Sequence, residues 1–244
     1  MREVRLYAAG SLKAALGAVA KAYEVAGGGT IVPTFGASGL LKDEIVSGAK
    51  ADAFASANME HPQALHDAGL SGDVILFARN TLCALVRPGL QIDPESLLAR
   101  MLDANVKVGT STPKADPSGD YAFAVFARAE AVKHGACAAL KAKALKLTGA
   151  KDSATAPPGQ SVYAWHVLEG RADIFITYRT NALAAQKENP ALHIVDLPPA
   201  LAVGADYGLT VLNGASEAAR AFAQFILARE GQGILTSHGF TSAK

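Results

Sequence analysis

Short apolar runs alternate with amphipathic segments along almost the whole chain. The first run, Val4–Ala8, predicts a strand, whereas in Leu12–Ala26 the apolar positions recur at the spacing of one helix face. This alternation is typical of α/β architecture with largely parallel sheets. The other predicted strands are Thr30–Phe35, Ala53–Ala57, Thr81–Arg87, Val106–Gly109, Ile174–Tyr178, Ile194–Leu197 and Tyr207–Leu212, and the other predicted helices are Leu40–Ser47, Met59–Ala68, Tyr121–Lys133, Ala136–Leu147, Val162–Glu169, Glu217–Ala228 and Gly231–His238.

A short pattern occurs once in each half of the chain. In Gly48–Phe54 and in Gly170–Phe175 a predicted helix ends at glycine, a loop carries Ala-Asp, and a buried strand begins. The pattern fits ordinary helix-to-strand turns and equally fits two lobes of similar construction. Because no low-complexity linker separates the halves, we expect strands Thr81–Arg87 and Tyr207–Leu212 to connect the lobes. The predicted domains are residues 1–80 with 205–244 as one lobe and residues 81–204 as the other, with the ligand in the cleft between them.

Composition narrows the class of protein. With 244 residues, 50% of them hydrophobic and 18% charged, the chain can bury the core of one large domain or of two lobes. A formal net charge of +1 gives no support for a nucleic acid or a membrane surface as partner. No run approaches the roughly 18–20 apolar residues of a membrane span. We expect Cys83 and Cys137 to be buried free thiols, and no cluster of Cys and His suggests a metal site.

The start of the chain shows no secretory leader. Met1-Arg2-Glu3 leads directly into the first predicted strand. The chain is then either a mature form with a replacement methionine or a protein without a signal, and the sequence leaves both open.

Two serines lie where a predicted strand gives way to a predicted helix. Ser11 follows Val4–Ala8 and Ser38 follows Thr30–Phe35, each among small residues. A serine at this place puts its hydroxyl beside the unpaired N–H groups of a helix start, which suits an anion. Each serine taken alone is also explained as a helix N-cap. The two turns together, neither containing Lys or Arg, predict an oxyanion held by neutral dipoles.

Two further helix starts have small or polar residues, Pro117-Ser118-Gly119 and Gly159-Gln160-Ser161-Val162, so each predicted lobe supplies two. A fully ionised dianion only accepts hydrogen bonds, and a pocket of donors satisfies it. Monohydrogen phosphate carries a proton that needs an acceptor, and leaving a buried O–H unpaired costs about 1–3 kcal/mol. The sequence therefore predicts a preference for molybdate, tungstate or sulfate.

Two carboxylates, Asp116 and Asp120, flank Ser118. Turned inward, either one would repel a dianion, coordinate a metal centre or accept a phosphate proton. We interpret both as helix-start charges favoured by the helix dipole.

Six stretches of the chain match a known family: Ala8–Leu12, Phe35–Leu40, Gly48–Phe54, Asp116–Ala122, Ile176–Ala182 and Gly231–Phe240. In them the chain resembles the molybdate-binding proteins of ABC importers, which are type II periplasmic binding proteins. The resemblance covers nearly the whole chain. It implies an α/β fold of two lobes, each a mostly parallel sheet flanked by helices, with the ligand in the cleft. It also implies a monomeric, periplasmic or extracytoplasmic protein, not an enzyme and without a cofactor, that captures molybdate or tungstate and delivers it to a membrane permease.

The resemblance also implies the ligand-binding residues. In the family they are two serines of the first lobe, two backbone N–H groups at helix starts of the second lobe and a tyrosine hydroxyl; these positions fall on Ser11, Ser38, Ser118, Val162 and Tyr178. The stretch after Val162 is shorter than in the family, so Ser161 or Gln160 are alternatives for that N–H. No direct metal coordination by side chains is expected, although the doublet Asp116-Pro117 with Ser118-Gly119 resembles tungstate and molybdate binders that use carboxylate ligands. Tetrahedral and expanded coordination therefore both stay open.

Other classes of protein fit the sequence less well. A serine hydrolase is disfavoured because Gly36-Ala37-Ser38-Gly39 lacks the glycine spacing of a nucleophile elbow, and none of the six histidines is clearly placed as a base. A ligand-sensing regulator would need a DNA-binding helix pair or a basic extension, which the sequence does not show. A binding protein for sulfate or another small anion remains the main alternative.

Overall fold

The computed structural model describes residues 3–243, so the predicted lack of a leader at Met1 and Arg2 falls on residues outside this description. The chain divides into two compact units, one formed by the described parts of Met1–Asn80 and Ala205–Lys244 and the other by Thr81–Gly204. Two strands, β4 (Ile75–Val86) and β9 (Gly204–Val211), each contain residues of both units. The first unit therefore comes from the two ends of the chain and the second from its middle.

The first unit is built around β1, which is parallel to both of its neighbours, β2 and β3. β9 pairs with β3 in the antiparallel direction, and β10 pairs with the first part of β4. The bounds are β1 Val4–Ala9, a 3-10 helix Gly10–Leu12, α1 Lys13–Val25, β2 Ile31–Gly36, α2 Ser38–Val46, β3 Ala53–Ser56, α3 Glu60–Asp67, α9 Glu217–Leu227, α10 Arg229–Ser237 and β10 Thr241–Ser242.

The second unit is built around β5, which is parallel to β6 and β7. The later part of β4 pairs with β7 and β8 in the antiparallel direction. The bounds are α4 Leu97–Leu102, β5 Val108–Ser111, α5 Pro117–Val132, α6 Ala136–Lys143, β6 Leu145–Thr148, α7 Val162–Leu168, β7 Ile174–Tyr178, α8 Arg179–Glu188 and β8 His193–Asp196.

Each unit has its own apolar core between sheet and helices. In the first, Phe54 of β3 packs with Leu41 of α2 and Leu65 of α3. In the second, Phe175 of β7 packs with Val167 of α7 and Ala182 of α8. The cores bury the faces that strands and amphipathic helices leave apolar, and this burial is the main favourable contribution to folding. Within residues 3–243 no helix has the length and apolar character needed to cross a membrane.

The structure differs from the predicted elements at three places in the second unit, and one of them is helix α4 (Leu97–Leu102), which was not predicted. The predicted helix Ala136–Leu147 ends at Lys143, because Ala144 has extended dihedral angles and the alternating Leu145–Thr148 forms β6. The helix α8 was not predicted, since it buries the polar residues Thr180 and Asn181 and so lacks a clear apolar stripe.

The repeated Ala-Asp turns make similar bonds in the two units. The carboxylate of Asp52 accepts hydrogen bonds from the backbone N–H of Arg5 at 2.8 Å and from its Nε and Nη2, each at 2.9 Å. The carboxylate of Asp173 accepts from the backbone N–H of Lys107 at 2.8 Å and from Nε of Arg87 at 2.6 Å. Each aspartate thus ties a helix-to-strand turn to the backbone of a neighbouring segment.

Candidate functional site

Ser11 and Ser38 lie at the same edge of the first unit's sheet. Strands β1 and β2 are parallel, and their last paired residues are Ala9 and Gly36. Each serine follows its member of this pair by two residues along the chain. The carboxyl ends of parallel strands meet at one edge of a sheet, which is where α/β proteins bind ligands. The fold therefore delivers both hydroxyls to that edge.

Neither serine is the N-cap of its helix. The N-cap residues are Ala9 for the 3-10 helix and Ala37 for α2. Ser38 is buried, and its Oγ accepts a hydrogen bond from the backbone N–H of Ala57, just beyond β3, at 3.1 Å. This bond uses an oxygen lone pair of Ser38 and leaves the hydroxyl proton for another acceptor. Helix capping alone therefore does not account for either serine.

Ser11 contacts a buried tyrosine from the other end of the sequence. Its Oγ lies 3.0 Å from Oη of Tyr207 on β9, and Nδ2 of Asn80 on β4 donates to the same Oη at 3.3 Å. Both Tyr207 and Asn80 are buried. The sequence analysis missed them because nothing in their local sequence relates them to Ser11, which is 196 residues from Tyr207.

The N-terminus of α5 carries its own carboxylate. Asp116 is the N-cap, and its Oδ1 accepts from the backbone N–H of Ser118 at 3.0 Å, so the N–H predicted to bind the ligand is already engaged. Burial is the main cause that raises the pKa of Asp116, with the charge of Asp120 adding to it and hydrogen bonds from Ser118 and Ser111 opposing it. Asp120 itself is exposed and accepts from the backbone N–H of Lys114 at 2.9 Å.

The hydroxyl of Ser118 is a separate feature of this helix start. It is fully buried and has no hydrogen-bond partner among the residues that the structure describes. A Cβ added at the next residue, Gly119, would lie 2.6 Å from the carbonyl oxygen of Ser111, so the first turn of α5 packs directly on the end of β5. A buried hydroxyl without a partner is costly, which makes Ser118 a candidate for contact with a ligand.

Tyr178 lies at the end of β7 and packs against α5. Its ring is buried and stands edge-on to Tyr121, one helical turn after Ser118, with the ring centroids 6.2 Å apart. The second unit therefore brings the end of β7 close to the beginning of α5, as parallel β5 and β7 require.

Of the three candidate N–H groups at the start of α7, two are engaged. Gln160 donates to the carbonyl of Pro157 at 3.1 Å, and Ser161 donates to Oε2 of Glu188 at 2.7 Å. The N–H of Val162, the first residue of α7, has no partner in residues 3–243. Val162 is therefore the candidate donor with an unused proton.

Tyr163, next to Val162, also belongs to this region and was not predicted. Burial raises the pKa of its hydroxyl, with the charge of Asp116 adding to the shift and the side chains of Thr177 and Ser111 opposing it. The hydroxyl of Ser111 in turn lies 2.8 Å from that of Thr148. The Ser111–Thr148 contact joins the ends of β5 and β6, and the side chains of Ser111 and Thr177 lie near enough to Tyr163 at the start of α7 to influence its pKa.

The described residues contain no group of three or more His, Cys, Asp or Glu side chains arranged to hold a metal ion. The groups gathered at the two sheet edges are mainly hydroxyls and backbone amides, and the carboxylate of Asp116 is among them. Such an arrangement can bind an anion through neutral donors.

Comparison with known proteins gives the same fold and a family. The chain is similar to the periplasmic molybdate-binding protein of Azotobacter vinelandii, with a TM-score of 0.77, 18% identity and coverage of 99% of this chain and 100% of the other. It is also similar to the sulfate-binding protein SubI of Mycobacterium tuberculosis, with a TM-score of 0.79, 19% identity and coverage of 100% and 88%. These likenesses confirm the predicted fold class, an α/β fold of the periplasmic-binding-protein type.

Sequence comparison identifies the family of the chain as well as its fold. An uncharacterized protein of Pasteurella multocida is 34% identical over 210 residues, which are 86% of each chain. Residues 4–241 match the family described as bacterial extracellular solute-binding protein. The chain therefore belongs to the bacterial extracellular solute-binding protein family.

Proposed function

We propose that this protein is the solute-binding component of an ABC importer and that it captures a tetrahedral oxyanion, molybdate or tungstate, for delivery to a membrane permease. The protein would act as a monomer outside the cytoplasm, bind its ligand without a cofactor and catalyse no reaction. The observation that carries the proposal is the placement of Ser11 and Ser38 at one sheet edge, each two residues beyond the paired Ala9 and Gly36.

The character of the donors supports a doubly charged ligand. Ser38 keeps a hydroxyl proton that its bond to Ala57 does not use, and the N–H of Val162 is unused in the described residues. Neutral donors of this kind satisfy an ion whose oxygens only accept hydrogen bonds. The chain's likeness to a molybdate-binding protein points to the same class of ligand.

Asp116 favours a second candidate ligand. Its carboxylate lies at the start of α5. The charged carboxylate would repel a dianion, but it would accept a hydrogen bond from an anion that carries a proton. A monohydrogen oxyanion such as hydrogen phosphate supplies that proton. Sulfate is a further alternative with the same geometry as molybdate, and the chain is also similar to a sulfate-binding protein.

The test is a calorimetric titration of the purified protein with molybdate, tungstate, sulfate and phosphate at neutral pH. We expect tight binding of molybdate or tungstate in a ratio of one ion per chain, with weaker binding of the others. Selective binding of phosphate would favour the second candidate. If the protein binds none of the four ions, the oxyanion proposal is overturned. Turnover of generic ester substrates would overturn the proposal that the protein is not an enzyme.

A further inference from the structure

Tyr207 holds its hydroxyl at a fixed point beside Ser11. Its ring is buried and stands edge-on to two other rings, with centroid distances of 6.4 Å to Phe77 and 5.4 Å to Phe240. The ring therefore has little freedom to move, and Oη stays 3.0 Å from Oγ of Ser11.

Either hydroxyl of the Ser11–Tyr207 contact can be the donor, and the amide of Asn80 favours donation by the tyrosine. Its Nδ2 donates to Oη of Tyr207, so one lone pair of the tyrosine oxygen is occupied. The phenolic proton is then well placed to be donated to Oγ of Ser11, and the proton of Ser11 is turned away from the tyrosine. Successive hydrogen bonds of this kind polarise one another, which strengthens the last donor.

We propose that Tyr207, held by Asn80, is a positioning residue that makes Ser11 a hydrogen-bond donor to the bound oxyanion. The proposal rests on the proposed function, because it concerns the same anion. If Ser11 instead donated to Tyr207, it would present lone pairs to a negatively charged ligand and weaken binding.

Ser38 gives an independent parallel within the same unit. Its Oγ also accepts a hydrogen bond, from the backbone N–H of Ala57, so its proton too is directed elsewhere. In both serines the oxygen thus accepts a hydrogen bond and the proton is directed elsewhere. The donor to Ser38 is a backbone amide, and the donor to Ser11 is a tyrosine. Only the second arrangement depends on a side chain that a substitution can remove.

The experiment is a double-mutant cycle on Ser11→Ala and Tyr207→Phe, with molybdate and tungstate as probes in calorimetric titrations. Tyr207→Phe keeps the ring and removes the hydroxyl, and it should weaken binding about three- to tenfold. Ser11→Ala should weaken binding roughly ten- to a hundredfold, as expected for a bond to a charged group. In the Ser11→Ala background, Tyr207→Phe should have no further effect, since it acts only through Ser11.

The matched control is Tyr23→Phe, which removes a hydroxyl from another tyrosine of the first unit. That hydroxyl donates to the carbonyl of Ala218 at 3.4 Å, and its ring packs against Phe222. It should leave affinity unchanged. Thermal unfolding of each variant separates affinity from stability, because a merely structural role of Tyr207 would lower the Tm without coupling to Ser11.

Two results would overturn the positioning role while leaving the proposed function intact: unchanged affinity in Tyr207→Phe, or equal penalties from Tyr207→Phe with and without Ser11. Absence of binding by the unmodified protein would overturn both proposals together and is recognised before any variant is made.

Discussion

The backbone N–H of Ser118 donates to Oδ1 of Asp116 at 3.0 Å, at the start of α5. A carboxylate thus occupies a donor that the family resemblance implies for the ligand. A Cβ added at Gly149 would lie 2.5 Å from Cβ of Asp116, so the loop after β6 covers this aspartate. Its pKa is raised, chiefly by burial. An anion at this helix start would meet either a half-buried carboxylate or its neutral acid.

Binding of a dianion should therefore strengthen as the pH falls from neutral toward the raised pKa of Asp116. The sign follows because protonation removes a negative charge next to the ligand, and the ligand in turn favours the protonated form. The charged and titratable groups identified around this carboxylate are Asp120 on α5 and Tyr163 on α7. Titrations with sulfate at a series of pH values measure the slope.

The variant Asp116→Asn should flatten this pH dependence and bind the dianion more tightly at neutral pH. Asp120→Asn, in the exposed neighbouring carboxylate, serves as the control and should keep most of the slope. If Asp116→Asn instead abolishes binding of hydrogen phosphate, the carboxylate acts as an acceptor for a protonated ligand. An unaltered slope in Asp116→Asn would show that Asp116 does not face the anion.

Ser11→Ala and Ser38→Ala should each weaken oxyanion binding by about 1.5–3 kcal/mol, as for loss of a hydrogen bond to a charged group. Calorimetry with the best-bound ion measures the change. Ser216→Ala is the matched control, since Ser216 is the N-cap of α9 and its Oγ accepts from the N–H of Ala219 at 3.4 Å. That variant should lose about 0.5–2 kcal/mol of stability without a change in affinity. Normal affinity in both site variants would contradict the role of the two serines.

Tyr178→Phe should also lower affinity, by about 1.5–3 kcal/mol if its hydroxyl bonds the ion. The ring is buried against Tyr121, so the variant keeps the packing and removes only the oxygen. Titration and thermal unfolding of the same preparation separate the two effects. A variant that binds normally would mark Tyr178 as a core residue of the second unit.

Asp52→Asn should destabilise the protein by about 2 kcal/mol at neutral pH, because the carboxylate accepts three bonds from Arg5. The Arg5 side chain holds the pKa of Asp52 below its usual value of 3.8. Its stabilisation is therefore present above that value and is lost as the pH falls through the lowered pKa of the folded state. Denaturant unfolding at several pH values measures this difference.

The control for Asp52 is Asp206→Asn. Asp206 pairs with Arg79 at 3.0 Å, but their side chains are 53% and 44% exposed. An exposed pair of this kind contributes about 0–1 kcal/mol. Equal losses of stability in the two variants would show that burial of Asp52 adds nothing to its bond with Arg5.

Local pattern was enough to predict the elements whose apolar faces are plain in the sequence. Strand β7 has the predicted bounds, Ile174–Tyr178, because a fully buried apolar run follows a glycine-containing turn. Strand β4 begins six residues before the predicted Thr81, since its first part carries polar residues such as Arg79 and Asn80 that do not read as a buried strand. Helix α8 was not predicted because its buried face also carries polar residues, Thr180 and Asn181.

Only part of the candidate site could likewise be predicted from local pattern. The turns at Ser11 and Ser38 could be recognised because strand, small residues and helix follow one another directly. The contacts of Ser11 with Tyr207 and of Ser161 with Glu188 join residues far apart in sequence, and no local signal carries them. The engagement of Ser118 by Asp116 was within reach, since Asp before Pro is a common helix start. The ligand role of the five predicted residues stays a prediction.

The order of the chain has a consequence for biosynthesis. Strand β3 needs β9 as its antiparallel partner, and β9 lies more than a hundred residues later in the sequence. A ribosome therefore completes the whole of the second unit before it supplies the last strand of the first. During translation or translocation the second unit can fold while residues 3–80 still lack the strand β9. Any factor that protects the nascent chain would therefore act on residues 3–80.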